Sequence, residues 1–194
     1  MRKPNKPKTE LGTLRIIGGR HRGRKLQFPV LEGVRPTPDR VRETLFNWLT
    51  AHLPGARCLD LFAGSGAIGL EAISRDATEV WFVDSAPAVV DTLKSHLKTL
   101  REDNAQIFLD DAIAWLKKHR PDVPFDIVFL DPPFYKGWLT DACKLLESNG
   151  FLKSGSHIYI EAESSLSTLP LPPNWHVIRQ KQAGQVQYSL CIRD

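Results

Sequence analysis

An aspartate, two prolines and a phenylalanine, Asp131, Pro132, Pro133 and Phe134, stand directly behind the apolar run Phe125 to Leu130. A carboxylate or a main-chain carbonyl in such a turn can accept the hydrogens of an exocyclic base amine, while an aromatic ring beside it stacks on the base. An amine of that kind is a poor nucleophile because its lone pair is delocalised into the ring. Methyl transfer to it therefore requires that it be held and aimed. The paired prolines fix φ at both positions and stiffen the turn. Taken alone, the same four residues also make an ordinary strand exit.

A second motif changes that balance. Cys58 to Gly69 reads as a short apolar strand that runs into a glycine turn and opens an amphipathic helix. Gly64, Gly66 and Gly69 satisfy the spacing of a dinucleotide loop, which by itself is weak evidence. Asp60 ahead of the glycines separates the readings, because a carboxylate there repels a pyrophosphate but suits a ligand carrying an ammonium and a sulfonium. S-adenosylmethionine is such a ligand. The candidate cofactor loop is thus Asp60, Phe62, Gly64, Ser65 and Gly66. Asp84 ends the next apolar run, Glu79 to Val83, where the acid that binds a ribose diol is expected.

The elements that must position these residues alternate along the chain. Strands are expected at 57–61, 79–83, 106–109, 125–130 and 156–161, with helices near 67–75, 87–100, 112–119 and 138–148. Regular alternation implies right-handed crossovers and a parallel sheet covered by helices on both faces. Asp60, Asp84, Asp111 and Asp131 then fall at or just past the carboxyl ends of four strands, where such sheets bind ligands. Val177 to Lys181 and Val186 to Cys191 read as a closing antiparallel pair. Ahead of the sheet, Arg35-Pro36-Thr37-Pro38 starts a helix, with Thr37 as N-cap and Pro38 in the first turn. Val41, Leu45, Trp48, Leu49 and Leu53 line one face of it, and Arg40 and Arg42, off that face, suit surface ion pairs or contact with RNA.

Charge is unevenly spread. Residues 1–25 hold nine Lys or Arg against the single acid Glu10, whereas the remaining 169 residues carry 17 basic and 21 acidic side chains. A basic arm on a mildly acidic body points to a polyanionic partner, since Lys and Arg neutralise phosphates and release condensed counterions. From Leu14 to Phe28 the charges alternate with apolar residues around Gly18, Gly19 and Gly23, as in a hairpin. Residues 1–35 are accordingly expected to form a basic tail and hairpin, and 36–194 the main domain. The three cysteines and six histidines show no disulfide or metal-ligand spacing, and no metal is implied. No apolar stretch is long enough to span a membrane, so a soluble cytoplasmic protein is expected, and nothing in the chain demands more than a monomer.

With these residues in view, the chain resembles the RsmD-type methyltransferases. The resemblance rests on Arg15-Ile16-Ile17-Gly18-Gly19, Arg22-Gly23-Arg24, the run from Arg35 through Asn47, the glycine motif and the Asp131 to Phe134 turn. It implies an α/β, Rossmann-like, S-adenosylmethionine-dependent fold. Its mostly parallel seven-stranded sheet would have an antiparallel C-terminal strand and a basic N-terminal hairpin in front. It further implies methylation of a guanine N2 amine in 16S ribosomal RNA, guanine 966 in the family's usual case, within a partly or fully assembled small subunit. Asp131, Pro132, Pro133 and Phe134 would handle the base. Asp60, Phe62, Gly64, Ser65, Gly66, Asp84, Asp111 and Ala112 would hold the cofactor, with Asp110 the alternative to Asp111 at the adenine. Arg15, Arg20, Arg22, Arg24, Lys25, Arg35 and Lys136 would meet RNA phosphates. A DNA adenine-N6 methyltransferase, a nicotinamide-dependent enzyme and a non-catalytic RNA-binding module are the rival readings.

Overall fold

The computed structural model describes residues 10–30 and 37–194. The tail before Glu10, the expected boundary between 35 and 36, and Arg35 lie outside the described residues. A hairpin of β1 (Leu11–Arg15) and β2 (Lys25–Pro29) leads, followed by α1 (Asp39–Trp48). The alternating part runs β3 (Arg57–Asp60), α2 (Ala67–Ser74), β4 (Glu79–Asp84), α3 (Pro87–Leu100), β5 (Ala105–Leu109), α4 (Ala112–Lys118), β6 (Phe125–Leu130) and α5 (Trp138–Ser148). It closes with β7 (Leu152–Glu163), β8 (Trp175–Ala183) and β9 (Val186–Arg193). The seven-stranded sheet has the order β5-β4-β3-β6-β7-β9-β8, and β9 points opposite to the other six strands. Among the described residues no helix is long and apolar enough to cross a membrane.

The central strands are apolar on both sides because both sides are covered. Cys58, Ile127, Phe129 and Tyr159 face a cluster built with α1, α2, α3 and the hairpin, while Leu59, Val128, Leu130 and Ile158 face α4 and α5. Strand β7 starts four residues before the expected 156. The pairing continues through a bulge in which Ser156 Oγ accepts from Lys153 N at 3.0 Å and donates to the Phe125 carbonyl at 2.7 Å. At the far end, Glu147 on α5 takes hydrogen bonds from Trp175, Asn174 and Arg193, whose guanidinium pulls its carboxyl down to about 2.

The hairpin is part of the body. Leu14, Ile16, Leu26 and Phe28 are buried in the same cluster as α1 to α3, while Arg15 and Lys25, directly opposite each other across the strands, are exposed. Its anchor is Glu71, fully buried in the middle of α2. Glu71 accepts from the backbone N–H groups of Ile17 and Gly18, each at 2.8 Å, and from Arg75 Nε at 2.7 Å. Arg42, only 1% exposed, lies 3.6 Å from the same carboxylate and donates to the Arg15 carbonyl at 2.8 Å. Arg42 also donates to the exposed Asp39 at 2.6 Å, so the expected ion pair forms, but from a guanidinium buried against the body. Helix α1 begins at Asp39, with the Pro38 carbonyl accepting from Val41 and Arg42, so Pro38 rather than Thr37 occupies the cap position. Thr37 is left free to turn towards the strand ends.

Candidate active site at the strand ends

Strand pairing determines which acids meet. Asp60 on β3 is level with Phe129 on β6, which is level with Tyr159 on β7. Alternation then brings Asp131 and Glu161, two residues further along β6 and β7, out on the same face as Asp60. Asp60 is buried and accepts from Gly69 N at 3.0 Å. Burial, opposed by that hydrogen bond and reinforced by Asp84, pushes its carboxyl up to about 7. Asp131 is half-buried and takes a long 3.5 Å hydrogen bond from Thr37 Oγ1. Burial raises its carboxyl well above the usual range, and the neighbouring Glu161 and Asp60 raise it further.

The glycine loop shapes the floor of this crevice. Gly66 holds φ at 77°, a left-handed conformation that favours glycine, and is the N-cap of α2. Gly69 lets α2 lie against the sheet: a Cβ there would come within 2.2 Å of the Phe82 ring and 3.0 Å of Asp60 Oδ2. Asp84 accepts from Gly64 N and Ala86 N, both at 2.8 Å, which ties the loop to the end of β4. A carboxylate has about four lone-pair sites, so two remain for a diol. Ser65 is buried in the loop, and Phe62 stacks at 6.1 Å on Trp138, the first residue of α5.

Asp111 is exposed and is the N-cap of α4, with Oδ1 accepting from Ala114 N at 2.8 Å, and Ala112 is buried behind it. Asp110 instead pairs with Lys118 at 3.0 Å. Pro132 is buried, Pro133 exposed and Phe134 half-buried, its ring edge-on to Tyr135. Tyr135 itself is 78% exposed and held at φ 61°, next to the exposed Lys136.

The basic residues divide into two groups. Arg15, Arg22, Arg24 and Lys25 are exposed on the hairpin. Arg20 is turned to the body, bonding Glu102 at 2.7 and 2.8 Å and Asp76 at 3.3 Å, with the His21 ring on the same Glu102. Sequence reasoning passed over Trp138, the orientation of Thr37 and above all Glu161. A signal for Glu161 was present, since it is an acid at the carboxyl end of the apolar strand Ile158 to Ile160, as Asp60, Asp84 and Asp131 are of theirs.

The relatives of this chain agree with the geometry. The ribosomal RNA small subunit methyltransferase D of Escherichia coli K12 is 46% identical over 194 residues, spanning 100% of this chain and 96% of the relative. The Haemophilus influenzae protein of the same name is 43% identical over 181 residues, 92% of this chain and 93% of its own length. The solved structure of the Escherichia coli protein yhhF superposes with a TM-score of 0.88 at 45% identity, covering 94% of this chain and 99% of that one. The fold is thus the Rossmann-like methyltransferase fold, with its antiparallel strand late in the chain. A family model described as conserved hypothetical protein 95 matches residues 14–192, and the chain belongs to that family, the RsmD family.

Proposed function

We propose that the protein transfers a methyl group from S-adenosylmethionine to the N2 amine of a guanine in 16S ribosomal RNA of the small subunit, guanine 966 in the family's usual case. The observation that carries this reading is the Asp131 to Phe134 turn standing beside the buried Asp60 at the next strand end. Relatives named small subunit methyltransferases support the RNA substrate.

The residues present fit the cofactor. Asp60 is an acid whose burial raises its carboxyl, and a cationic ligand lowers that cost. Bound S-adenosylmethionine supplies an electrophilic methyl on a sulfonium. Asp60 answers its positive groups, Asp84 accepts from the ribose hydroxyls, and Asp111, with the free side of its carboxylate, accepts from the adenine amine. Gly64, Ser65 and Gly66 admit the methionine part close to the backbone. The guanine leaves its stack to enter the crevice, where Phe134 stacks on it. Asp131 and the Pro132 carbonyl take the N2 hydrogens and aim the nitrogen. The amine becomes acidic once methylated and loses a proton to Asp131 or water.

The exposed pair Arg15 and Lys25 supports a phosphate-binding hairpin, because like charges directly opposite on paired strands repel until an anion lies over them. Arg22, Arg24 and Lys136 extend that surface. The partner is 16S ribosomal RNA in a partly or fully assembled small subunit, met in the cytoplasm.

Mass-spectrometric mapping of modified nucleosides tests the reading, in ribosomal RNA from cells carrying the protein, lacking it, or carrying Asp131→Ala. One N2-methylguanosine should vanish in both altered strains. The purified variant should keep most cofactor affinity while single-turnover methylation slows by about 10²- to 10³-fold. An unchanged RNA profile, or methyl appearing on adenine N6 of DNA, would overturn it.

A further inference from the structure

We infer that Glu161 reads the Watson–Crick edge of the target base, accepting the guanine N1–H beside the amine that Asp131 holds, and so makes the site prefer guanine over purines lacking that hydrogen. The inference rests on the guanine-N2 reading above and assigns its specificity. Leu130 pairs with Ile160, so Asp131, just past the end of β6, and Glu161, within β7, come side by side and on one face. Glu161 is 5% exposed and lines a cleft of about 130 Å³ together with Pro132, Pro133 and Phe134, the residues that receive the base. Its Oε1 accepts from the Tyr159 hydroxyl at 2.8 Å, which locks the side chain, and the Thr37 hydroxyl lies against the same carboxyl. Thr37 Oγ1 adds a longer, weaker contact of 3.5 Å to Asp131.

Two anchored acceptors next to each other match two neighbouring donors. Guanine presents N1–H and the N2 amine on one edge. Adenine presents a lone pair at N1, which a carboxylate repels. Burying Glu161 without such a donor is costly, and burial indeed raises its carboxyl. A site built to hydrogen-bond an N–H rejects analogues without it, because its own buried acceptor is then left unpaired.

The decisive substrate is RNA carrying 2-aminopurine at the target position, since this base keeps the amine at C2 but has a lone pair at N1. Single-turnover methylation at pH 8 is compared on guanine and 2-aminopurine substrates, using the full-length protein, Glu161→Gln and Glu161→Asp. The native protein should favour guanine by roughly 10- to 100-fold. Glu161→Gln can turn its amide to donate to the bare N1, so its preference should shrink about tenfold, with cofactor affinity unchanged. Glu161→Asp draws the acceptor back by one methylene and should also narrow the ratio. Loss of rate on both substrates with the ratio intact would make Glu161 a structural residue and overturn the assignment alone. A native protein that leaves guanine N2 unmethylated would overturn the parent reading and this one together.

Discussion

Replacing Glu71 with Gln should release the hairpin from the body. In the native protein one carboxylate oxygen takes Gly18 N–H and Arg75, while the other takes Ile17 N–H and lies 3.6 Å from Arg42. Gln fills the same volume but offers one acceptor. Its amide nitrogen must confront either Ile17 N–H and Arg42, or Gly18 N–H and Arg75, donor against donor. An unsatisfied buried N–H costs about 1 to 3 kcal/mol, and breaking a buried ion pair about 3 to 5 kcal/mol. The two overlap here, so about 3 to 5 kcal/mol is the expected loss. For a domain of this length each kcal/mol lowers Tm by about 2 to 4 °C, which gives a drop of roughly 6 to 20 °C by calorimetry. Limited trypsin digestion should also cut faster at the exposed Arg22 and Arg24, because the chain beneath them has lost its anchor. A melting point within about 2 °C of native, with unchanged digestion, would refute the reasoning.

Burial pushes the Asp60 carboxyl up to about 7 in the folded protein, whereas an unfolded aspartate releases its proton near the ordinary 3.8. The folded state therefore binds more protons over that interval, and stability falls as pH rises through it. Asp60→Asn, which retains an acceptor for Gly69, should be about 2 to 4 kcal/mol more stable than native at pH 8 and equal to it near pH 4, and parallel melting curves at both pH values would disprove this. Asp84→Ala should weaken S-adenosylmethionine binding by roughly 30- to 1,000-fold in calorimetry, and unchanged affinity would remove Asp84 from the site. Neutralising Arg22, Arg24 and Lys25 together should flatten the slope of log K against log salt for RNA binding by about two to three units. Arg20→Ala should instead lower the melting temperature and change that slope by less than about one unit, since Arg20 is spent on Glu102 and Asp76. A slope that responds equally to Arg20 would return it to the RNA surface.

Local chemistry was legible in the sequence. The strand and helix order, the final antiparallel pair and the hairpin follow from apolar periodicity and from glycine and proline placement, which depend on near neighbours along the chain. The acids Asp60, Asp84 and Asp131 were legible for the same reason: a strand's end is a local feature, and in a parallel sheet all such ends share one edge. What the sequence could not decide is which buried charge finds which partner. Arg42 reads as a surface cation until α2 presents Glu71 to it across 29 positions of chain, and nothing near Arg20 in the sequence announces its pairing with Glu102, 82 positions away. Thr37 meets Asp131 over 94 positions, and Glu161 stands beside Asp131 only because β6 and β7 pair in a particular register. Periodicity specifies a face and an end. Register and packing alone specify the neighbour, because a buried charge is stable only where the fold supplies its partner.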